Sequence, residues 1–138
     1  MITRVRGLVG SGVARLTISI VVVLAGCAGR KALDQVRGDF PCATPVVEES
    51  VANEIRKITG CGTENVYGWD GNTSKWRSVT ERAVFDMSCP RDQLTVHHLG
   101  GAEVGVEGCG KKAVFVGNSV CGGGACSFRG WVLNSTQN

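Results

Sequence analysis

The hydrophobic pattern changes several times along the chain, and each change marks an element. Residues 16–25 (LTISIVVVLA) form an uncharged apolar run. Leu33 and Val36 then stand three apart within 31–37, the spacing of a short helix. Val46–Val51 and Ile55–Ile58 read as strands, although 48–57 fits a helix as well, and periodicity leaves both readings open. Val66–Trp69 is strand-like, and Asp70-Gly71 is a turn signal. Ser78-Val79-Thr80-Glu81 has the capping-box form, a hydroxyl followed three residues later by a carboxylate. Val79, Ala83, Val84 and Met87 follow near helical spacing up to Pro90, which predicts a helix over 79–88. Leu94, Val96 and His98 then alternate with Gln93, Thr95 and His97, a strand pattern closed by the turn signal Gly100-Gly101. Val104 with Val106, and Ala113–Val116, are further strands. Gly122-Gly123-Gly124 predicts a flexible loop, Ser127–Leu133 a last strand, and Asn134–Asn138 a polar tail that frays.

These elements recur. Gly60-Cys61-Gly62 returns as Gly108-Cys109-Gly110, 48 positions later, and at the same offset Val66-Tyr67 falls on Val114-Phe115. Cys42 lies 19 residues before Cys61, and Cys89 lies 20 before Cys109. Such self-similarity predicts an α+β fold of two tandem small repeats, each a short helix plus about three antiparallel strands. The first unit would occupy 31–77 and the second 78–138. Neither is large enough to bury an adequate core alone.

Charge then narrows the setting. The 138 residues carry 15 Lys and Arg against 12 Asp and Glu, a formal net charge of +3. Arg4, Arg6 and Arg15 are the charged side chains of residues 1–26, so 15 − 3 = 12 basic residues balance 12 acidic ones in the remainder. The excess that would suggest a nucleic-acid partner therefore lies wholly in the N-terminal stretch, and no nucleic-acid binding is expected. Residues 1–26, basic first and then apolar, have the order of an export signal. The apolar run is too short to span a bilayer core of about 30 Å at about 1.5 Å per helical residue.

Leu24-Ala25-Gly26-Cys27 closes that run with an aliphatic residue, two small ones and a cysteine. It resembles the lipobox of bacterial lipoproteins. The resemblance implies cleavage before Cys27, lipid (diacylglycerol and palmitate) attached to Cys27, and a tether over 27–30. Ala28 in place of an acidic residue implies the outer membrane by the best-known sorting rule.

Assigning Cys27 to lipid leaves six of seven cysteines, an even set that reads as disulfides in an exported chain. Many pairings are open in principle, and the symmetry of the repeat selects Cys42–Cys61, Cys89–Cys109 and the local Cys121–Cys126. The glycines flanking Cys61 and Cys109 suit tight strand-to-strand turns that need positive φ. Cys89-Pro90, Gly108-Cys109-Gly110 and Ala113-Val114-Phe115, more loosely matched by Cys42, Gly60-Cys61-Gly62 and Val66-Tyr67, resemble small lipoproteins of myxobacteria. The likeness covers about residues 31–133, and Pro41 precedes Cys42 where that pattern has Pro after Cys. It implies fold and location, and no activity.

Residues of catalytic type are few. Cys121 and Cys126 are spaced like a zinc ligand pair but have no second close pair, and His97-His98 would point to opposite faces of a strand. No metal or other cofactor is expected. A Cys–His nucleophile would use a cysteine needed for a bridge, so no catalytic residue is assigned. Glu48-Glu49 and Glu103 with Glu107 read as solvated surface. Trp69, Trp76 and Trp131 read as packing at strand ends, with a ligand platform as the rival reading. The expected function is that of a lipid-anchored cell-envelope protein with a structural or binding role. The alternative is a small envelope enzyme or enzyme inhibitor.

Overall fold

The computed structural model describes residues 31–137; the export signal, Cys27 and the tether lie outside them. A single-turn helix α1 (Leu33–Val36) and a 3-10 turn (Arg37–Asp39) lead into strands β1 (Val47–Ala52), β2 (Ile55–Gly60), β3 (Thr63–Asp70) and β4 (Lys75–Ser78). Helix α2 (Val79–Met87) and a second 3-10 turn (Arg91–Gln93) lead into β5 (Thr95–Gly100), β6 (Glu103–Gly108), β7 (Lys111–Gly122) and β8 (Ala125–Gln137). The strands form two antiparallel sheets of four, β1-β2-β3-β4 and β5-β6-β7-β8, each in sequence order. Among the described residues, no helix is long and apolar enough to cross a membrane.

The ambiguous stretch 48–57 is a hairpin. Ile55 and Ile58 fall on opposite faces of β2, and both are buried because the first sheet is covered on both sides. A strand covered on both faces loses the simple alternation that would have separated it from a helix. On one face Ile58, Tyr67 and Trp76 pack with Ala32, Val36 and Phe40. On the other, Ile55 and Val66 join α2 and the inner face of the second sheet, around Val104, Val106, Phe115, Phe128 and Trp131. Glycines let the two sheets approach closely. A Cβ on Gly68 would lie 2.4 Å from the Phe128 ring, and one on Gly117 would lie 2.5 Å from Ile55 Cδ1.

Spacing persists at the level of register. β1 and β2 pair from Val47↔Thr59 to Ala52↔Ile55 with an irregularity between Ser50 and Ala52. β5 and β6 pair from Thr95↔Glu107 to Gly100↔Glu103 with an irregularity between His98 and Gly100, 48 positions on throughout. The β2–β3 and β6–β7 ladders correspond in the same way. So do two hydrogen bonds, Trp69 N to Glu54 O at 2.8 Å and Gly117 N to Ala102 O at 2.9 Å.

Several local expectations need correction. Each sheet has four strands where about three per unit were expected; the four segments read as strands after α2 all form, and the strand that was not read is β4. β4 was hidden because Lys75–Ser78 is short and runs straight into α2. The stretch Asn134–Gln137 does not fray: it extends β8, with Lys112↔Gln137, Ala113↔Thr136 and Val114↔Ser135. Backbone pairing there needs no apolar side chains. Gly122 is the end of β7, and Gly123 and Gly124, at φ 59° and 82°, form a two-residue turn in place of a flexible loop. In α2 the buried residues are Val79, Thr80, Ala83 and Met87, while Val84 faces solvent. Ser78 caps the helix by accepting from Thr80 N at 3.0 Å. The helix stops at Ser88, which adopts the left-handed conformation at φ 50°, before Pro90 is reached.

Candidate functional site

The described cysteines are all bridged. Cys42 is bonded to Cys61, Cys89 to Cys109 and Cys121 to Cys126. The first two bonds are built alike. Cys61-Gly62, at φ 55° and 73°, and Cys109-Gly110, at φ 51° and 74°, are the central residues of the β2–β3 and β6–β7 turns. Two successive positive φ values give the hairpin turn whose twist matches the strands. Cysteine itself thus takes the first left-handed position. The preceding glycines have another role: a Cβ on Gly60 would lie 2.8 Å from Val46, and one on Gly108 would lie 2.6 Å from Gln93 O. They make room for the segment that each disulfide holds against its sheet.

Among the described residues there is no free thiol for His97 or His98 to activate. His97 is exposed on the outer face of β5, and His98 is half-buried, with Nε2 3.0 Å from Gly101 O. No group of three His, Cys, Asp or Glu placed to hold a metal occurs among the described residues. Trp76 and Trp131 are each only 6% exposed. Trp69 meets Trp76 edge-on across β3 and β4 at 5.4 Å, and Trp131 meets Phe128 at 5.2 Å and donates to Arg77 O at 3.0 Å. These rings are packed into the fold.

The densest polar chemistry lies under the first covering segment. Asn65, on the α1 face of β3, is buried. Its amide nitrogen is 2.9 Å from Ser78 Oγ, 3.2 Å from Tyr67 Oη and 3.3 Å from Thr80 Oγ1. Its oxygen accepts from Val66 N at 2.9 Å and Ser78 Oγ at 3.2 Å. Tyr67 Oη donates to Asp39 Oδ2 at 2.9 Å, and Arg91 Nη2 meets the same oxygen at 3.0 Å. The chain from Asn65 to Arg91 thereby links both 3-10 turns, β3 and the start of α2. Beside it opens a cleft of about 430 Å³, lined among others by Gln35, Asp39, Lys75, Trp76, Glu81 and Arg91.

Burial, and then donation to the Asp39 carboxylate, push the Tyr67 phenol far above its ordinary range. It is a fixed donor at physiological pH, unsuited to act as a base or nucleophile. Each polar group of this network is engaged by another, which is what a buried polar joint requires. The members span residues 39 to 91, so no local motif announces them. The available signal was Asn65 two residues before Tyr67, on the face of a strand that also carries an apolar neighbour set.

In comparison with known proteins, the chain matches no family model, no curated protein and no solved structure.

Proposed function

We propose that this chain is an exported cell-envelope protein, anchored by lipid on Cys27, with a structural or binding role and no catalytic chemistry of its own. The observation that carries the reading is the complete pairing of the six described cysteines. Such bonds persist in an oxidising compartment, and they leave Cys27, at the end of Leu24-Ala25-Gly26-Cys27, as the one cysteine for another purpose. The inward use of the Asn65–Tyr67–Asp39–Arg91 network favours structure over catalysis.

The anchor would be short. Ala32 is fully buried and its N–H donates to Glu48 Oε1 at 2.9 Å, so the folded body begins almost at once after the tether 27–30. Four residues reach about 14 Å when extended. A body so tethered would rest close to the bilayer surface, with the outer membrane as its site. The two sheets are, in this reading, tandem copies of one helix-plus-four-strand unit, supported by the shared register, turns and disulfide positions 48 residues apart.

Palmitate labelling, with and without globomycin, of the wild type and of Cys27→Ser tests the anchor. Label on the wild type, accumulation of precursor with globomycin, and loss of label in the variant are expected. An unlabelled wild type would overturn the reading.

A further inference from the structure

The third disulfide differs from the other two in what surrounds it. Cys121 and Cys126 sit directly opposite each other on β7 and β8, Cα–Cα 3.9 Å, next to the Gly123-Gly124 turn. Cys121 is exposed, and a Cβ placed on Gly122, Gly123 or Gly124 would have no neighbour within 4 Å, so approach to the sulfurs is open. On the other side, Asn53 from the β1–β2 turn places Nδ2 3.4 Å from Cys126 Sγ. A cleft of about 760 Å³ separates the two turns, lined among others by Ser50, Asn53, Glu54, Arg56 and Cys126.

We propose that Cys121–Cys126 is a site of thiol–disulfide exchange with small thiols, in which Cys121 is the sulfur attacked and Cys126 the leaving thiolate. A small thiolate forms a sulfur–sulfur bond to Cys121 Sγ as the Cys121–Cys126 bond breaks. The electron pair passes to Cys126 Sγ, where the Asn53 amide donates to it. A second thiolate then attacks the small molecule's sulfur in the mixed disulfide and expels Cys121 as thiolate. Two small thiols are thereby oxidised to one disulfide, and the protein disulfide gains two electrons. The reverse sequence closes the bond again, aided by the adjacency of the two cysteines.

The fold tolerates this opening. The β7–β8 ladder runs from Lys112↔Gln137 to Gly122↔Ala125 and holds the hairpin without the bond. The closed loop is short, so the bond restrains the unfolded chain less than the other two do. By contrast Cys89 is 1% exposed, and its release would place a thiolate in the apolar core. Cys61 is exposed and Thr44 Oγ1 donates to Cys42 Sγ at 3.0 Å, but the Cys42–Cys61 bond closes a 19-residue separation and holds the covering segment of the first sheet, so its opening costs the fold more. The proposal does not depend on the lipid anchor.

The test treats the oxidised, folded chain with reduced glutathione, quenches with acid or with iodoacetamide at intervals, and locates adducts by peptide mass. Alkylation of Cys121 and Cys126 should precede that of the other four cysteines by about tenfold in rate, with the trapped glutathione on Cys121. Equal or earlier opening of Cys42–Cys61 or Cys89–Cys109 would overturn the site, and glutathione on Cys126 would overturn its polarity. Asn53→Ala should slow opening by about threefold with thermal stability unchanged, and an unchanged rate would remove Asn53 from the mechanism.

Discussion

The two sheets share a register but fill their covered faces differently. Ile58 and Val106, Gly60 and Gly108, and Cys61 and Cys109 stand at positions 48 apart and do the same work. At the next inward positions the chemistry diverges: Asn65 and Tyr67 in the first sheet, Ala113 and Phe115 in the second. The cover explains the difference. Over the second sheet lies α2, nine residues long, which presents Val79, Ala83 and Met87 to an apolar face. Over the first lies α1, four residues long, with a 3-10 turn. So short a helix cannot supply a wide apolar stripe. Directional bonds from Tyr67 to Asp39, and from Asp39 to Arg91, fix its segment in place. One backbone plan therefore admits two ways of holding a cover, by apolar area or by a satisfied polar network.

Tyr67 and Phe115 occupy corresponding positions, and the ring in the larger core carries the most stability. Phe115 is fully buried in the larger core, and Phe115→Ala should cost about 3–5 kcal/mol in urea unfolding. Next come the staples. Replacing both Cys42 and Cys61, or both Cys89 and Cys109, by Ala should each cost about 3 kcal/mol, since separations of 19 and 20 residues restrain the unfolded chain almost equally. Matched losses in calorimetry would locate the effect in the unfolded chain. A larger loss in the first pair would show that the short α1 segment depends on its disulfide in the native state.

Those sequence spacings also show what was legible. α2 and the strands from 95 to 106 could be read because each buries mainly one face and so keeps a period, Val84 aside, while 113–116 showed itself as a short apolar run between turns. The hairpin 47–60 could not be resolved from a helix, since β2 buries Ile55 on one face and Ile58, three residues on, on the other. β8 beyond Leu133 was missed because its pairing rests on backbone groups of Asn134–Gln137, whose side chains are exposed. The polar joint was illegible for a different reason. Its partners Asp39, Tyr67 and Arg91 are brought together only by the fold, and each alone looks like ordinary surface or core.

Exchange of the inward residues sharpens the contrast further. Asn65→Ala copies the second sheet's residue into the first, yet it should destabilise by about 1–3 kcal/mol, because Ser78, Thr80 and Tyr67 lose a buried partner. The reciprocal Ala113→Asn should cost a similar amount, about 1–3 kcal/mol, by burying an amide in an apolar core. Tyr67→Phe removes one hydroxyl while keeping the ring, and about 1 kcal/mol is expected. If Asn65→Ala proved neutral in chemical denaturation, the network would not be what holds the first cover.

The smallest effect concerns acid. Hydrogen bonding from Lys57 holds Glu49 below the usual carboxylate range, and hydrogen bonds led by the Thr73 hydroxyl do the same for Asp70, both on the first sheet. On the second sheet Glu107 is lowered by its hydrogen bond from Lys112. A carboxylate with a depressed folded pKa stabilises the fold above its unfolded pKa. That contribution is lost as pH falls through the folded value. All three groups are at the surface, so each loss is small and screened by salt. Two such groups on the first sheet against one on the second set only the direction of the expected difference, a slightly greater weakening of the first sheet by acid. Amide hydrogen exchange from pH 5 to pH 2 should show β1–β4 losing protection ahead of β5–β8, and Glu49→Gln should narrow that gap at the upper end of the range. Simultaneous loss in both sheets would mean that the shared core of Ile55, Val66, Phe128 and Trp131 couples them into one unfolding unit, whatever their separate covers.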